Sequence, residues 1–360
     1  MRRRAATALA VPFCALLLGV SGCGVIPEDW KTPAFMQSDE DYDSRLPTIT
    51  GDVGEDPEVA FPDIAPPDEQ LTGTVKEGEE DGALIRGDDM VLVHTVDYQW
   101  TARGETEFTR STYETGAPVL LQMDQMTEEL SQAIVDETVG SRLAFLFPPM
   151  TEEERQQAES MGQEAPEGAS LTIVDVVDRY GKGDVVPGEQ STDGGDGLPT
   201  APDPGRAIPE ITIPEDTDPP KDLEIVPLIE GDGPEVAEGQ QVVTQYTGVR
   251  WDDGEVFDST WNAGKDGTPF SFQVGVGGVI EGWDEGLVGQ KVGSRVMLVI
   301  PEDMAYGEDA ADSGAPAGTL VFVVDLLGAF DSAPAEEAPE EEAPEEEAAP
   351  EGGDAEATEE

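Results

Sequence analysis

The sequence predicts an α+β protein with two folded domains, each an antiparallel sheet combined with a short helix. Three observations lead to this prediction. Apolar and polar residues alternate along several short runs, one segment carries a helical apolar stripe, and much of the sequence repeats once. A length of 360 residues with 38% hydrophobic residues is enough for two cores besides unstructured segments.

Alternating residues predict strands in the second half of the chain. In the run "PFSFQV", Phe270, Phe272 and Val274 share one face and polar residues occupy the other, as in a half-buried strand. The run "GTLVFVVDLL" is apolar at nearly every position over residues 320–324, which predicts a central strand covered on both faces. Such short segments at close spacing favour an antiparallel sheet.

A different period marks the segment "VIEGWDEGL", residues 279–287. Ile280, Trp283 and Leu287 recur at intervals of three and four residues, which is the apolar stripe of an amphipathic helix. Because a single helix beside several strands can bury its stripe only against the sheet, we expect this helix on the concave face of the sheet.

Parts of the first half recur in the second half at an interval of about 150 residues, which is the size of a domain. The matching runs are "RGDDMVLVHT" from residue 86 and "EGQQVVTQYT" from 238, "VGSRLAFLFPP" from 139 and "VGSRVMLVIPE" from 292, and "ASLTIVDVVD" from 169 and "GTLVFVVDLL" from 318. The repeat predicts two domains of one fold.

Changes in composition divide the chain into segments. A stretch dense in Pro, Gly and Asp predicts a semi-extended linker, and a tail with 14 acidic residues among its 30 predicts disorder. The predicted segments are a signal peptide at 1–22, a tether at 23–44, a first domain at 45–180, a linker at 181–220, a second domain at 221–330 and an acidic tail at 331–360.

The first residues have the composition of a secretory signal peptide. Arg2, Arg3 and Arg4 precede an apolar run at residues 5–20, which is short for a membrane span of about 20 residues. The run ends in "VSGC", which resembles the lipobox of bacterial lipoproteins, where a peptidase cuts before a cysteine that carries a diacylglycerol. This resemblance predicts lipidation at Cys23 and a protein anchored to the cell membrane on its extracytoplasmic side.

An ordinary cleaved signal or an uncleaved anchor is the alternative for this segment. If Cys23 is acylated, Cys14 is removed with the signal, and no thiol is left for a disulfide. Packing alone must then hold the folded part together.

The formal net charge of -60 restricts the partners of the protein. Such an acidic surface repels the phosphate backbone, so nucleic-acid binding is not expected. The acidic tail is compatible with a spacer, a cation buffer or an adaptation to salt, and the sequence does not choose among these.

The second domain carries a series of motifs in a fixed order. They are "GDGPEV", "QYTG", "DGEVFDST", "PFSFQVG", "VIEGWDEGL", "VGSRVMLVIPEDMAYG" and "GTLVFVVDLL". In this order they resemble the FKBP-type peptidyl-prolyl cis-trans isomerases over residues 222–330. The resemblance implies an antiparallel half-barrel wrapped around a short helix, and an enzyme that needs no cofactor and no metal. It implies proline-containing exported polypeptides as substrates. The loop after Tyr306, "GEDAADSGAPAG", departs from the family because it lacks large aliphatic residues, and this departure predicts at most weak binding of macrolides.

The resemblance also implies an apolar cleft in this domain. Its lining would be Tyr246, Phe257, Asp258, Phe270, Val279, Ile280, Trp283, Tyr306 and Phe322. Trp283 would form the floor under the substrate proline. The Tyr306 hydroxyl and the Ile280 N–H would bond substrate carbonyls, and Asp258 would lie against the cleft tyrosine and the twisting amide. The alternative is a non-catalytic chaperone or scaffold that uses the same cleft.

The first domain lacks these residues in the alignment of the repeat. His94 stands for Tyr246, Thr109 for Asp258, Val119 for Phe270, Leu130 for Trp283 and Ile173 for Phe322. We therefore expect a degenerate FKBP-like domain that does not catalyse. The run "MTEEERQQAES", residues 150–160, predicts a helical insert where the second domain has its tyrosine loop. His94 is expected to be a strand residue, since one His without a thiol partner makes a metal site implausible.

Overall fold

The computed structural model describes residues 42–79, 82–161, 165–203, 205, 208–261 and 267–332. The predicted signal peptide, the predicted acylation site Cys23, nearly all of the predicted tether and nearly all of the predicted acidic tail lie outside these ranges. Among the described residues, no helix is long and apolar enough to cross a membrane.

The described residues of the first domain form eight strands and three helices. The strands are β1 Thr48–Thr50, β2 Glu58–Ala60, β3 Leu71–Lys76, β4 Met90–Ala102, β5 Glu105–Ser111, β6 Val119–Gln122, β7 Arg142–Phe147 and β8 Ala169–Tyr180. The helices are α1 Thr112–Thr115, α2 Glu128–Ile134 and α3 Glu152–Ser160, with a 3₁₀ turn at Met123–Gln125.

In the second domain, the part that the structure describes contains six strands and two helices. The strands are β9 Glu224–Ile229, β10 Gln241–Arg250, β11 Val256–Ser259, β12 Phe270–Gln273, β13 Arg295–Ile300 and β14 Leu320–Phe330. The helices are α4 Glu281–Leu287 and α5 Ala310–Ser313, with a 3₁₀ turn at Glu302–Met304.

The two large sheets have one topology. The strand order is β3-β7-β8-β4-β5 in the first domain and β9-β13-β14-β10-β11 in the second. In addition, β6 pairs with β4 and β12 pairs with β10, and all of these pairings are antiparallel. The predicted α+β class and the predicted duplication of one fold are therefore confirmed. The strand "GTLVFVVDLL" is central as predicted, because β14 lies between β10 and β13.

Helix α4 packs against the concave face of the second sheet, as its apolar stripe predicts. Trp283 and Leu287 are buried in the core between helix and sheet. The helix approaches β13 closely because Gly282 and Gly286 face it. A Cβ at Gly282 would lie 2.4 Å from a methyl carbon of Ile300, so only glycine fits there.

The predicted helical insert of the first domain is confirmed as α3. Thr151 caps its N-terminus by accepting a bond from the Glu154 N–H, and the Glu154 carboxylate accepts one from the Thr151 N–H in return. This reciprocal capping box satisfies two N–H groups that a helix start leaves without intrahelical partners.

Segments without long strands cover the outer faces of both sheets. The first strap, residues 42–61, packs Leu46 and Ile49 onto the first sheet. The second strap, residues 186–203 and 208–213, packs Ala201 and Ile211 onto the second sheet. The second strap belongs to the predicted linker, whose boundaries stay predictions. The structure adds that this part of the linker packs against the second sheet, because its scattered apolar residues contact the apolar outer face of that sheet.

A buried ion pair on each outer face holds the adjacent strap. Arg142 lies opposite Asp175 in the β7–β8 ladder, with Nε 2.5 Å from a carboxylate oxygen. The guanidinium also donates to backbone carbonyls of the first strap at Thr50, Gly51, Asp52 and Glu55. In the second sheet, Arg295 pairs with Asp325 at 2.6 Å, and Asp325 accepts the Val186 N–H of the second strap.

The two domains touch through an apolar cluster. Met90, Leu92 and Tyr180 of the first domain pack with Val243 of the second. At Gly328 of β14, an added Cβ would lie 2.2 Å from the Tyr180 phenol oxygen. This close approach needs glycine, so the docking of the domains depends on a residue with no side chain.

Removal of one partner of a buried pair leaves an uncompensated charge. We therefore expect Arg295→Ala to lower the free energy of unfolding by about 3–5 kcal/mol, measured by urea denaturation of the full chain. Arg250→Ala is the matched control, since Arg250 pairs with Asp253 at the surface, and its midpoint should stay almost unchanged. Equal effects of the two substitutions would contradict the anchoring role of Arg295.

Candidate active site

Aromatic side chains from five elements of the second domain meet between α4 and the sheet. They are Tyr246 of β10, Phe257 of β11, Phe270 of β12, Trp283 of α4 and Phe322 of β14. Their rings contact one another mostly edge to face, which is a favourable arrangement for aromatic pairs. The structure therefore brings together these five predicted cleft residues. Tyr246 and Phe322 are 76 residues apart in the sequence.

Trp283 forms the base of this cluster. Its ring centroid lies 5.1 Å from that of Tyr246 and 5.2 Å from that of Phe322, nearly perpendicular to both. Only 4% of Trp283 is exposed. Its indole N–H has no hydrogen-bond partner among the described residues. The indole is thus a rigid apolar surface enclosed by other rings.

A tyrosine and a carboxylate lie side by side above this base. The Tyr246 hydroxyl donates to Asp258 at 2.5 Å, and the other Asp258 oxygen accepts the Ser259 N–H at 2.9 Å. Burial, with the hydrogen bond to Asp258 as the second cause, raises the pKa of Tyr246 well above its usual range. The phenol therefore stays neutral and Asp258 is held in one orientation.

Tyr306 stands at the edge of the cleft, where it is 47% exposed. It follows the 3₁₀ turn Glu302–Met304. Partial burial raises its pKa, and the nearby charge of Asp258 raises it further. The Tyr306 hydroxyl is therefore a neutral donor beside Asp258.

The segment before α4 supplies a backbone donor. Val279 and Ile280 are half-buried and pack against the aromatic cluster. The Ile280 carbonyl accepts the Trp283 N–H, whereas the Ile280 N–H has no partner within the described residues. This geometry leaves the Ile280 N–H available to a substrate carbonyl.

Two positions that the sequence did not single out shape the site. Asp284 of α4 accepts the N–H groups of Gly275 and Gly277 at 2.8 and 2.7 Å, which fixes the glycine-rich loop before Val279. Gly248 leaves room for rings, since a Cβ there would lie 2.7 Å from Phe322. Asp284 lies in α4, six residues after Gly278, so its bonds to the loop show only in the structure.

The strand register shows which residues of the first domain occupy the cleft positions. Asp175 and Asp325 mark equal points of the two sheets, since each pairs with the arginine opposite it. Counted from there, Thr95 corresponds to Tyr246, and each donates its N–H to a threonine hydroxyl. The aligned position is therefore Thr95 and not its neighbour.

The alignment of the repeat was wrong by one residue on three strands. The structure places Thr95 at the position of Tyr246, Arg110 at that of Asp258 and Thr172 at that of Phe322, where the sequence predicted His94, Thr109 and Ile173. Because successive strand residues face opposite sides, a slip of one residue exchanges the faces. Ile173 accordingly lies in the core under the first strap.

Other expectations for the first domain agree with the structure. Leu130 is the third residue of α2 as Trp283 is of α4, and Val119 pairs with β4 as Phe270 pairs with β10. His94 is a strand residue, and its ring stacks on Tyr113 at a centroid distance of 4.1 Å. The concave face of this domain, as far as the structure describes it, thus has neither a tryptophan at the position of Trp283 nor a tyrosine–carboxylate pair at the positions of Tyr246 and Asp258.

Comparisons with known proteins agree with this geometry. A family model described as FKBP-type peptidyl-prolyl cis-trans isomerase matches residues 233–327. The chain is 49% identical over 121 residues to an FK506-binding protein of Streptomyces anulatus, an alignment that covers 33% of this chain and 94% of that protein. This chain belongs to the FKBP-type peptidyl-prolyl cis-trans isomerase family.

Two further relatives extend the match. The isomerase is 41% identical over 110 residues to a probable FK506-binding protein of Corynebacterium glutamicum, covering 31% of this chain and 89% of that protein. It is 42% identical over 107 residues to the peptidyl-prolyl cis-trans isomerase Fkbp12 of Drosophila melanogaster, covering 29% of this chain and 95% of that protein. The isomerase acts on proline-containing peptides, and the relatives do not favour a non-catalytic scaffold.

The raised pKa values of Tyr246 and Tyr306 give a pH prediction. A phenol whose pKa is raised stays protonated to a higher pH. Its hydrogen bond is therefore fully present below the ordinary pKa of 10.0, and it is lost only as the pH rises through the higher pKa of the folded protein. We expect kcat/KM on a short X-Pro peptide to show no alkaline decline below about pH 10. A decline that Tyr306→Phe abolishes, with a midpoint well below this pH, would contradict the prediction.

Proposed function

We propose that this isomerase assists the folding of exported polypeptides from the outer side of the cell membrane, to which an acylated Cys23 anchors it. The support is in the sequence: three arginines, an apolar run too short for a span, and the motif "VSGC". Acyl chains stabilise membrane attachment by about 0.8 kcal/mol for each buried CH₂, so two or more chains give lasting anchoring.

The observation that supports the catalytic mechanism is the aromatic cleft with Trp283 at its base and the Tyr246–Asp258 pair beside it. Rotation about an X-Pro bond has a barrier of about 18–20 kcal/mol, because the amide loses its resonance on twisting. The twisted amide has a less charged carbonyl oxygen than the planar one, so an apolar cleft favours it over the planar ground state. Preferential binding of the twisted form lowers the barrier.

Each polar group of the cleft then has an orienting role in our proposal. Tyr306 donates its hydroxyl to a substrate carbonyl, and the Ile280 N–H donates to another. Asp258, fixed by Tyr246, faces the twisting amide. Trp283 supplies the flat apolar surface on which the proline ring lies. None of these residues needs to form a covalent bond with the substrate.

We also propose that macrolides bind weakly. Several relatives carry FK506 in their names. In this chain the loop after Tyr306, "GEDAADSGAPAG", lacks large aliphatic residues, so it offers little apolar surface over a bulky ligand.

Tyr306→Phe tests the orienting role with a minimal change. Loss of one hydrogen bond in the transition state, worth about 1 kcal/mol, should lower kcat/KM on a short X-Pro peptide by about fivefold. Tyr98→Phe is the matched control, since Tyr98 is a half-buried tyrosine of the first domain. Equal activity of the two variants would remove Tyr306 from the mechanism.

Cys23→Ser tests the anchoring. We expect the variant to move from the membrane fraction to the soluble fraction of cells, because the acceptor of the diacylglycerol is gone. Cys14→Ser is the control, and it should stay with the membrane since the proposed cleavage removes Cys14. Membrane retention of Cys23→Ser, or loss of both variants alike, would overturn the lipid anchor.

A further inference from the structure

Carboxylates dominate the described segments that carry most of the cleft residues. These segments are 251–261, 267–290 and 301–318, and they contain twelve Asp and Glu residues but no Lys or Arg. Residues 262–266 lie outside the described ranges, and with one Lys and one Asp they leave this balance unchanged. The surroundings of the cleft are therefore strongly negative.

Some of these carboxylates have a structural role. Asp253 and Glu255 pair with Arg250 at 2.7 and 2.6 Å. Asp284 accepts two N–H groups of the glycine-rich loop before Val279. Because the fold itself uses these groups, they do not indicate what the cleft binds.

Glu281 and Glu308 differ from the carboxylates with a structural role. Both are exposed, and neither has a hydrogen bond or an ion pair with another described residue. A surface charge that no counterion of the protein compensates attracts or repels a charged ligand. These two glutamates are therefore candidates for a role in the choice of substrate.

Each of the two glutamates lies next to a group that orients the substrate in the proposed mechanism. Glu281 is the first residue of α4 and directly follows Ile280. Only Gly307 separates Glu308 from Tyr306. Because consecutive Cα atoms are about 3.8 Å apart, the Glu281 carboxylate lies within about 10 Å of the Ile280 N–H. This is the Debye length at about 0.1 M salt, so a charge on a bound peptide interacts with Glu281.

The binding site itself does not depend on the carboxylates. The Ile280 N–H and the Trp283 indole N–H both belong to the cleft, and neither has a partner within the described part of the chain. Trp283 is 4% exposed, so its indole N–H is a buried donor. The two glutamates thus add a charge preference to a site that the aromatic cleft defines.

We propose that the cleft selects X-Pro bonds that have a Lys or Arg within about three residues of the proline, a distance of about 10 Å in an extended chain. Glu281 and Glu308 attract this positive charge. Because no described hydrogen bond fixes either carboxylate, they act through charge alone, and Lys and Arg should serve equally well. The proposal rests on the isomerase activity and on the orienting roles of Ile280 and Tyr306, but not on the membrane anchor.

The same charges exclude acidic X-Pro segments, and this chain carries such segments itself. The acidic tail, residues 331–360, contains Pro334, Pro339, Pro344 and Pro350, each followed within two residues by a Glu. A tethered segment competes for a site with an effective concentration on the order of 1 mM. Repulsion by the glutamates at the cleft keeps these prolines from competing with substrates, which is selection against a wrong partner.

The test compares three short X-Pro peptides on the full chain. They are identical except for one residue beside the X-Pro unit, which is Lys, Gln or Glu. A unit charge at about 10 Å in water changes binding by about twofold, so two glutamates should make kcat/KM about tenfold higher for the Lys peptide than for the Glu peptide at 0.01 M salt. At 1 M salt the Debye length is about 3 Å, and the ratio should fall close to one.

Glu281→Gln removes one of the two charges and keeps the size of the side chain. We expect the ratio of the Lys peptide to the Glu peptide to fall by about threefold at low salt. Glu235→Gln is the matched control, because Glu235 is exposed and pairs through its backbone with Lys291, beyond the C-terminal end of α4. It should keep the full ratio and the activity on the Gln peptide. The double variant with Glu281→Gln and Glu308→Gln should bring the ratio close to one.

Two results would overturn the proposal: equal kcat/KM on the three peptides at low salt, or the same change of the ratio in Glu281→Gln and Glu235→Gln. An Arg peptide far better or worse than the Lys peptide would contradict an action through charge alone. Failure of the isomerase assignment would differ from these results, since activity on the Gln peptide itself would be absent.

Discussion

Each of the two large sheets depends on one buried ion pair on its outer face. Arg142 with Asp175, and Arg295 with Asp325, are opposite each other on neighbouring strands. Such pairs are tolerated when their other hydrogen-bonding groups are satisfied, and the strap backbones supply those bonds. The pair also fixes the strand register, because a shift by one residue would put a charge on the apolar concave face. The same register turns Phe322, three residues before Asp325, toward α4.

Coverage of both faces of the sheet determines the character of the cleft. The described residues include no cysteine, so packing, hydrogen bonds and ion pairs hold the fold. With the strap on one side and α4 on the other, β14 can be apolar along most of its length. The tight seat of α4 at Gly282 then places Trp283 among other rings. An enclosed surface of this kind favours a weakly polar, twisted amide over a planar one.

In both domains, the residues that stabilise the fold lie at different positions from those that form the cleft of the second domain. Both keep the buried pair, the strap and the short helix on the concave face. They differ on the facing surfaces of helix and sheet, where the first domain has Thr95 for Tyr246 on the sheet and Leu130 for Trp283 on the helix. The first domain lacks these rings but keeps the fold, because the rings lie on the concave face and the ion pair lies on the other face.

The sequence by itself determined the fold class, the helix and the types of the cleft residues. These features are local, since a period of two marks a strand and a spacing of three and four marks a helix face. Trp283 and Phe272 could therefore be placed on faces before any contact was known. The motif order added the fold family and the cleft residues of the second domain.

Only the tertiary structure decided the register between the repeats and the packing of the straps. The alternation of apolar and polar residues is unchanged when one repeat is shifted by two residues against the other, and insertions in the turns conceal a shift of one. The pattern therefore could not show whether His94 or Thr95 corresponds to Tyr246. The apolar residues of the straps recur at no regular interval. Asp284 affects the site by accepting hydrogen bonds from the loop that precedes Val279. These features rest on contacts between distant residues, and local periodicity carries no record of which distant residues meet.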